Sequence, residues 1–439
     1  MSGASHRTTN GWADLGCEGW DWNSVLPYFL RSEGNTRGHD ALHNGDGPLQ
    51  VAEQSAPRAI NKAFENACAE AQIRPNADFN GPEQEGAGLY QVTQFYDGPH
   101  RGERCSAAAA YLFPAMGRPN LTVHRRTMVD RIEIDDGRVT AVRARVGTTW
   151  QRIVAKREVL LSAGAFGSPQ ILLRSGVGPE DELATHGISP RHILPGVGQN
   201  LQDHLDYILS YRSKRKDVVG LNPSGLWDLA RAGLQWRRDG TGEFATVFAE
   251  SGAFLKSAPN IERPDLQFHF VIGIVDNHMR TIHTAHGVSC HVCVLRPESR
   301  GRVRLKDAKP TSAPRIDPAY LSDQCDLDVM KAGARIMHQI MEAPALAPWR
   351  GKAYYPHDWS DAALEADIRR RADTIYHPVG TCAMGTGPEA VVDPELRVRG
   401  IDGLRVVDAS IMPRLISGNT NAPTMMIAEK AADMIRGLS

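Results

Sequence analysis

An α/β fold with a second unit built on an antiparallel sheet is predicted for this chain by three observations. First, residues 158–162 form a short apolar run that reaches Ala163-Gly164 and is followed by a helical pattern over 168–175. Second, the apolar run 404–407 stops at Asp408-Ala409-Ser410, and a polar turn cluster over 419–424 then feeds a helical pattern over 425–435. Strands that end on a turn and give way to a helix are the unit of α/β sheets, and ligands gather at the C-terminal ends of such strands. Third, the texture changes between about residues 207 and 346, where strand-like alternation over 266–272 and 288–295 takes over. A chain of 439 residues is long enough for two or three structural units.

The elements follow in order. Residues 31–58 carry Gly34, Gly38, Gly45, Gly47 and Pro48 and read as a long loop. Ile60, Ala63, Phe64, Ala67, Cys68 and Ala71 have helical spacing. Residues 105–113 are a second, short helix candidate. Residues 120–123, 129–134 and 139–146 alternate as strands, and Asp136-Gly137 is a hairpin turn between the last two. The strand over 158–162 precedes the helix over 168–175, with Pro169 placed near its first turn. Gly164 lets backbone approach a ligand closely. Residues 326–341 form an amphipathic helix.

Composition excludes several classes of function. Lysine and arginine number 50 against 51 aspartates and glutamates, so no global field favours nucleic acid or an anionic membrane. No apolar run reaches bilayer-spanning length, and the first residues lack the apolar core of a secretion signal. Seven scattered cysteines suit reduced thiols in a cytoplasmic protein. Cys290-His291-Val292-Cys293 is not read as a metal site, because no second C-x-x-C accompanies it. In a strand, positions 290 and 293 face opposite ways.

Sixteen histidines are present, and His204, His269, His278, His283, His286 and His291 read as structural or surface residues. His377 differs because it sits in a turn rich in glycine and proline, beside the strand edge that ends at Asp408. Histidine is the commonest general base. A helix N-terminus near Asn421 would aim free N–H groups and a positive dipole at an anion or an electron-rich ring. Glu250 could offer charge to a cationic substrate, although a structural role fits it better.

Four stretches carry a resemblance. They are Gly164 to Gly178, Gly196 to His204, Thr374 to Gly385, and Leu404 onward through Gly418-Asn419-Thr420-Asn421-Ala422-Pro423-Thr424. Together and in this order they resemble the glucose–methanol–choline (GMC) oxidoreductases, flavoenzymes that oxidise alcohols. The resemblance implies FAD as cofactor, held in a Rossmann-like domain, with a substrate domain on an antiparallel sheet. It divides the chain into 1–205 (FAD-binding remainder with a flavin lid), 206–373 (substrate domain) and 374–439 (catalytic end of the FAD domain). It implies His377 as catalytic base and Asn419 as the second member of the pair. It places Val129 near the adenosine half of FAD, Gly164, Asp408 and Ala409 along the cofactor with a ribityl contact for Asp408, and Asn421, Pro423 and Thr424 beside the ring. Residues 12–30 resemble a part of the family that lies well inside the protein. The G-x-G-x-x-G turn for the FAD pyrophosphate is not found, and Gly176-Val177-Gly178 and Gly196-Val197-Gly198 lack its third glycine. The reading is therefore of an FAD-binding domain that is incomplete at its N-terminus, in a chain expected to hold FAD weakly.

The implied activity is oxidation of a primary alcohol to an aldehyde, by hydride transfer to flavin N5. Electrons are expected to pass to a quinone-type or respiratory-chain acceptor, from a cytoplasmic protein peripheral to the inner membrane. The bacterial alcohol dehydrogenases, with choline-dehydrogenase-like members, are the branch it points to. Two rivals stand beside this. One is a hydroxynitrile-lyase-like enzyme on the same fold. The other is a remnant that cannot hold FAD. No nucleic-acid partner, metal or transmembrane segment is expected.

Overall fold

The computed structural model describes residues 6–438. Its largest element is a seven-stranded antiparallel sheet. The order is Arg350–Ala353, Leu205–Ser213, Gly287–Val294, Leu266–Val271, Ala249–Leu255 and Gly86–Leu89, and the short strand Asp373–Thr374 also pairs with Leu205–Ser213. Residues 266–272 and 288–295 were expected as strands, and the structure bears them out almost to the residue. Both central strands are buried along their whole length.

The two faces of this sheet differ. One face carries Tyr207, Leu209, Phe268, Phe270, Cys290 and Val292, and these pack into one apolar cluster with Leu327, Met330, Ala334, Met337, Ile340 and Met341. The latter are the apolar stripe of the helix Gln324–Glu342, spaced by three and four residues. Gly333 lets that helix settle onto the sheet, since a Cβ there would lie 2.8 Å from Leu266 and 2.9 Å from Val292 side-chain carbons. The helix Ala59–Glu70 covers the same face with Ile60 and Phe64, whose ring stacks on Phe270 at 4.6 Å between centroids. Each fully buried side chain of this layer contributes roughly 1.5–3 kcal/mol. The opposite face carries Asp206, Gln267, His269, His291 and Cys293, because alternate residues of a strand point opposite ways. Cys290 and Cys293 thus fall into different apolar clusters, as the strand reading required.

A parallel two-stranded sheet pairs Val159–Leu161 with Leu404–Val406, in the register Leu404↔Val159 and Val406↔Leu161. Both predicted βα turns leave from it. A three-stranded antiparallel sheet joins Thr127–Asp135, Arg138–Val146 and Thr149–Val154. Asp136 (φ 48°) and Gly137 (φ 74°) make the predicted two-residue hairpin, with both turn residues at positive φ. A second apolar cluster, including Leu172, Leu173, Val406, Ile411, Met426 and Ile427, binds this half of the molecule.

Several expectations are corrected. Residues 31–58 are not all loop: a helix ends at Ser32, and Glu33–Asn35 pairs in parallel with Leu49–Val51. Residues 120–123 form no strand. The short helix expected over 105–113 is a π-helical turn, Ala108–Leu112, continued by Phe113–Ala115. The helix after the first βα turn is Gly164–Arg174, so Pro169 stands inside it and not in its first turn. Proline has no N–H, so the carbonyl four residues earlier loses its partner. Thr381 Oγ1 donates to that carbonyl, Ala165 O, at 2.6 Å. The last helix is Asn421–Arg436, so Asn421, Pro423 and Thr424 form its first turn and are not a preceding loop.

Candidate active site

The site is built where three segments meet. The stretch 196–204 runs between the turn at 377–385 and the stretch 413–419. Gln202 and Val379 exchange both backbone hydrogen bonds, at 3.1 and 2.9 Å. The Gln202 side chain donates to Pro413 O (3.1 Å) and accepts from Leu415 N (3.0 Å). Gly380 (φ 91°) is needed at the crossing, because a Cβ would lie 2.4 Å from Asn200 O. Asp203 fixes the backbone of the site: its Oδ1 accepts from His377 N at 2.9 Å and its Oδ2 accepts from Tyr320 and Thr374 hydroxyls.

His377 and Asn419, 42 residues apart, come together, with Asn419 Nδ2 3.2 Å from His377 Nε2. The protonation of each ring follows from its partners. His204 Nε2 lies 3.1 Å from both Leu295 O and Ile416 O. Carbonyls only accept, so this nitrogen carries the proton, and His204 Nδ1 is an acceptor. His204 Nδ1 lies 2.9 Å from His377 Nδ1, which must then donate. His377 is left with a lone pair on Nε2. Asn419 is oriented in turn, since Gln267 Nε2 donates to its Oδ1 at 3.0 Å and leaves its Nδ2 facing the imidazole. Burial pushes His377 down to about 4, so the ring is neutral at physiological pH. Burial, and then the charge of His377, hold His204 well below the ordinary histidine range.

His377 and Asn419 line a cavity of about 940 Å³ under the polar face of the large sheet, together with Asp206, His269 and His291. Asn419 and His269 also line an adjoining cavity of about 690 Å³ that reaches Asn421 and Ala422. The helix Asn421–Arg436 begins there with no side-chain cap; Pro423 has no N–H and Thr424 N bonds to Thr420 O, so Asn421 and Ala422 supply the first-turn N–H groups beside that space. This arrangement fits the electron-rich edge of a flavin ring.

The remaining sequence candidates fall as follows. Asp408 stands at the end of the strand Leu404–Val406. Its Oδ2 accepts from Gly164 N (2.9 Å) and Ser168 Oγ (2.5 Å), and its Oδ1 from Ser410 N (2.8 Å), so the carboxylate serves the start of the helix Gly164–Arg174. Ala409 O accepts from Gly380 N at 3.4 Å, joining this turn to the His377 loop. Gly164 (φ 77°) meets nothing within 4 Å of an added Cβ, which marks open space beside it. Pro423 is buried, and Thr424 Oγ1 donates to Thr420 O at 2.7 Å. Val129 lies partly buried in the strand Thr127–Asp135 against the second apolar cluster. Glu250 is fully buried with Oε2 accepting from Arg58 N (2.9 Å) at the start of the helix Ala59–Glu70, whereas its neighbour Ala249 faces the cavity.

Sequence reasoning missed His204, Asp203 and Gln267. The first two lie in the stretch 196–204 that carries the family resemblance. Their available signal was a polar Asp-His pair leading directly into the strand-like stretch that begins at Leu205.

Comparison with known proteins fits this geometry. The N-terminal and C-terminal GMC oxidoreductase domains match residues 3–206 and 297–428. An alcohol dehydrogenase [acceptor] of Pseudomonas putida is 43% identical over 433 residues, covering 97% of this chain and 77% of that one. Human mitochondrial choline dehydrogenase is 41% identical over 430 residues, covering 97% and 71%. The crystal structure of pyridoxine 4-oxidase from Mesorbium loti superposes with a TM-score of 0.86 at 28% identity, covering 100% of this chain and 82% of that one. On the sequence match along nearly its whole length, this chain belongs to the GMC oxidoreductases, a family of FAD-dependent flavoproteins.

Proposed function

We propose that the protein oxidises a primary alcohol to an aldehyde, with His377 as general base and Asn419 as its partner. FAD, when bound, supplies the hydride acceptor. The uncapped start of the helix Asn421–Arg436, with Asn421, Pro423 and Thr424, would hold its ring; Gly164, the 408–409 turn and Val129 would follow the rest of the cofactor. The observation that carries the reading is the lone pair of His377 Nε2, fixed by the bonds of His204 and set beside Asn419 Nδ2. An alcohol oxygen that takes the place of the Asn419 Nδ2–His377 Nε2 hydrogen bond gives its proton to Nε2 and accepts a hydrogen bond from Nδ2.

The low basicity of His377 sharpens the order of events. Alcohols are roughly as acidic as water, so full deprotonation by a base near 4 would cost on the order of 15 kcal/mol. A neutral His377 thus favours proton transfer coupled to C–H cleavage.

Electrons then pass to a quinone-type acceptor in our reading, and the protein works at the membrane surface that holds it. The acceptor-dependent alcohol dehydrogenase among the relatives supports this. Among the described residues no helix is long and apolar enough to cross a membrane. We keep the three-part division at 205 and 373, with the helix Ala59–Glu70 and the strand Gly86–Leu89 serving the substrate side. The test is anaerobic bleaching of bound flavin by primary alcohols. His377→Ala should slow it about 10²- to 10⁴-fold while the flavin spectrum is retained. An unchanged rate removes His377 from the chemistry. Reoxidation of the reduced enzyme by a soluble quinone and by oxygen, measured side by side, tests the acceptor.

A further inference from the structure

The helix Pro223–Asp239 turns an apolar face to solvent. Asn222 Oδ1 accepts from Gly225 N at 2.9 Å at its start, and Gly240 (φ 67°) closes it. Its inner side is fixed by buried Gly225 and Ala232, and Trp236 Nε1 donates to Gly102 O at 3.0 Å. On the outer side Trp227 is 66% exposed, Leu234 70% and Leu226 53%. At about 100° per residue, these three and Ala230 fall within roughly 100° of arc, with Arg237 among them and Arg231 and Arg238 beside them. Asp228 and Asp239 lie beyond, toward the packed side. Large apolar side chains gathered on one exposed face mark an interaction surface. The turn that follows continues it, since Phe244 and Phe248 are 49% and 60% exposed. Phe244, Val247 and Gly102 also line the cavity of about 690 Å³ that reaches Asn419, so the helix is clamped to the rim of that cavity.

We propose that the helix Pro223–Asp239 is a docking element that lies in the surface of an anionic phospholipid bilayer. The turn after it then brings the mouth of the Asn419 cavity to the lipid, where a quinone-type acceptor dissolves. This deepens the reading that the protein works at a membrane surface, and rests on it. Charge selects the occupant. Residues 212–248 hold seven lysines and arginines against four aspartates and glutamates, in a chain whose total is −1. Three of those four carboxylates are already held by arginines: Asp217 by Arg215 (2.9 Å), Asp239 by Arg238 (2.8 Å) and Glu243 by Arg58 (2.6 Å). Tryptophan and leucine beside arginine on one exposed helix suit the headgroup region, where apolar side chains enter the acyl boundary and guanidinium groups meet lipid phosphates. A second copy of this chain suits the face less well, because a twofold contact through it would bring two sets of Arg231, Arg237 and Arg238 together.

The test is flotation of the FAD-loaded chain with vesicles of phosphatidylcholine alone, and of phosphatidylcholine with about one-third phosphatidylglycerol. The wild type should float with the anionic vesicles, less with the neutral ones, and less again at high salt. Trp227→Ser combined with Leu234→Ser should weaken binding at least about tenfold, because the apolar area that enters the bilayer is lost. Arg231→Gln combined with Arg237→Gln should cost about fivefold for each arginine. All four positions are on the surface, so flavin bleaching by a soluble alcohol should keep its wild-type rate in both variants. Vesicles carrying brominated acyl chains should quench part of the tryptophan fluorescence, and Trp227→Phe should bind while losing that quenching. Undiminished quenching in Trp227→Phe, or wild-type binding by the double serine variant, overturns the helix as the docking element and leaves the membrane reading standing. No binding of the wild type to anionic vesicles removes both. A wild type that ignores vesicles but dimerises in sedimentation, with the double serine variant monomeric, assigns the face to a second copy and overturns the proposal.

Discussion

Two of the buried histidines of this chain, His43 and His377, differ in charge. His43 closes the loop between the strands Glu33–Asn35 and Leu49–Val51. Its Nε2 lies 2.9 Å from Asp78 and its Nδ1 3.2 Å from Glu33. Hydrogen bonds to Asp78 and then Glu33 outweigh burial and raise it to about 9. His377 is as buried, but its ring partners are a second imidazole and an amide, and it falls to about 4. Burial alone therefore does not fix the charge of a histidine. Where carboxylates flank the ring, the proton stays and the group works as a clasp. Where neutral groups flank it and burial is uncompensated, the second proton leaves and Nε2 keeps a lone pair.

The contrast can be broken from either side. The largest effect on stability is expected at the clasp. Glu33→Gln leaves charged His43 with Asp78 as its remaining carboxylate partner, which should cost about 1–3 kcal/mol in denaturant unfolding while the rate per folded, flavin-loaded enzyme holds. A fall in that rate without a stability loss would place the clasp in the active site. Next comes His204→Phe, which removes the acceptor that holds the His377 tautomer. Flavin reduction should slow by about a hundredfold, since an imidazole in the wrong tautomer is a poor base. A rate within a factor of about two of wild type would show that another group orients His377.

Stability against pH separates the two sites without mutation. His377, His204 and His269 (about 3) have folded values below the ordinary one near 6.5, with burial the first cause in each. The unfolded chain then binds more protons between about pH 3 and 6.5, so stability is lost on acidification through that window. His43 has a raised value, so its contribution is full below 6.5 and is lost as pH rises through about 9. Melting temperature should therefore peak near neutrality, and His43→Gln should flatten the alkaline side alone. The smallest effect is expected at Thr381→Val, which strands the Ala165 carbonyl that Pro169 cannot serve. About 1 kcal/mol should be lost in thermal unfolding.

Much of the fold was legible locally. The strands at 266–271 and 287–294, the hairpin at Asp136-Gly137 and the helix at 324–342 follow from side-chain period and turn chemistry. Where reading failed, a distant partner had overridden the local rule. Pro169 sits inside a helix because Thr381, more than two hundred residues later, takes up the freed carbonyl. Residues 31–58 contain strands because Glu33 and His43 pair across the loop.

The same division holds at the site. The sequence by itself determined that His377 lies in a turn and Asn419 ahead of a helix, and the motifs around them determined the family. It could not determine which nitrogen of His377 bears the proton, that His204 decides it, or that Asp206 and His291 share the cavity. Those facts depend on hydrogen bonds between residues 173, 91 and 85 positions apart. Periodicity records which way a side chain points along its own strand or helix. Protonation depends on which groups from other strands and turns stand within about 3 Å, and only the folded chain brings them there.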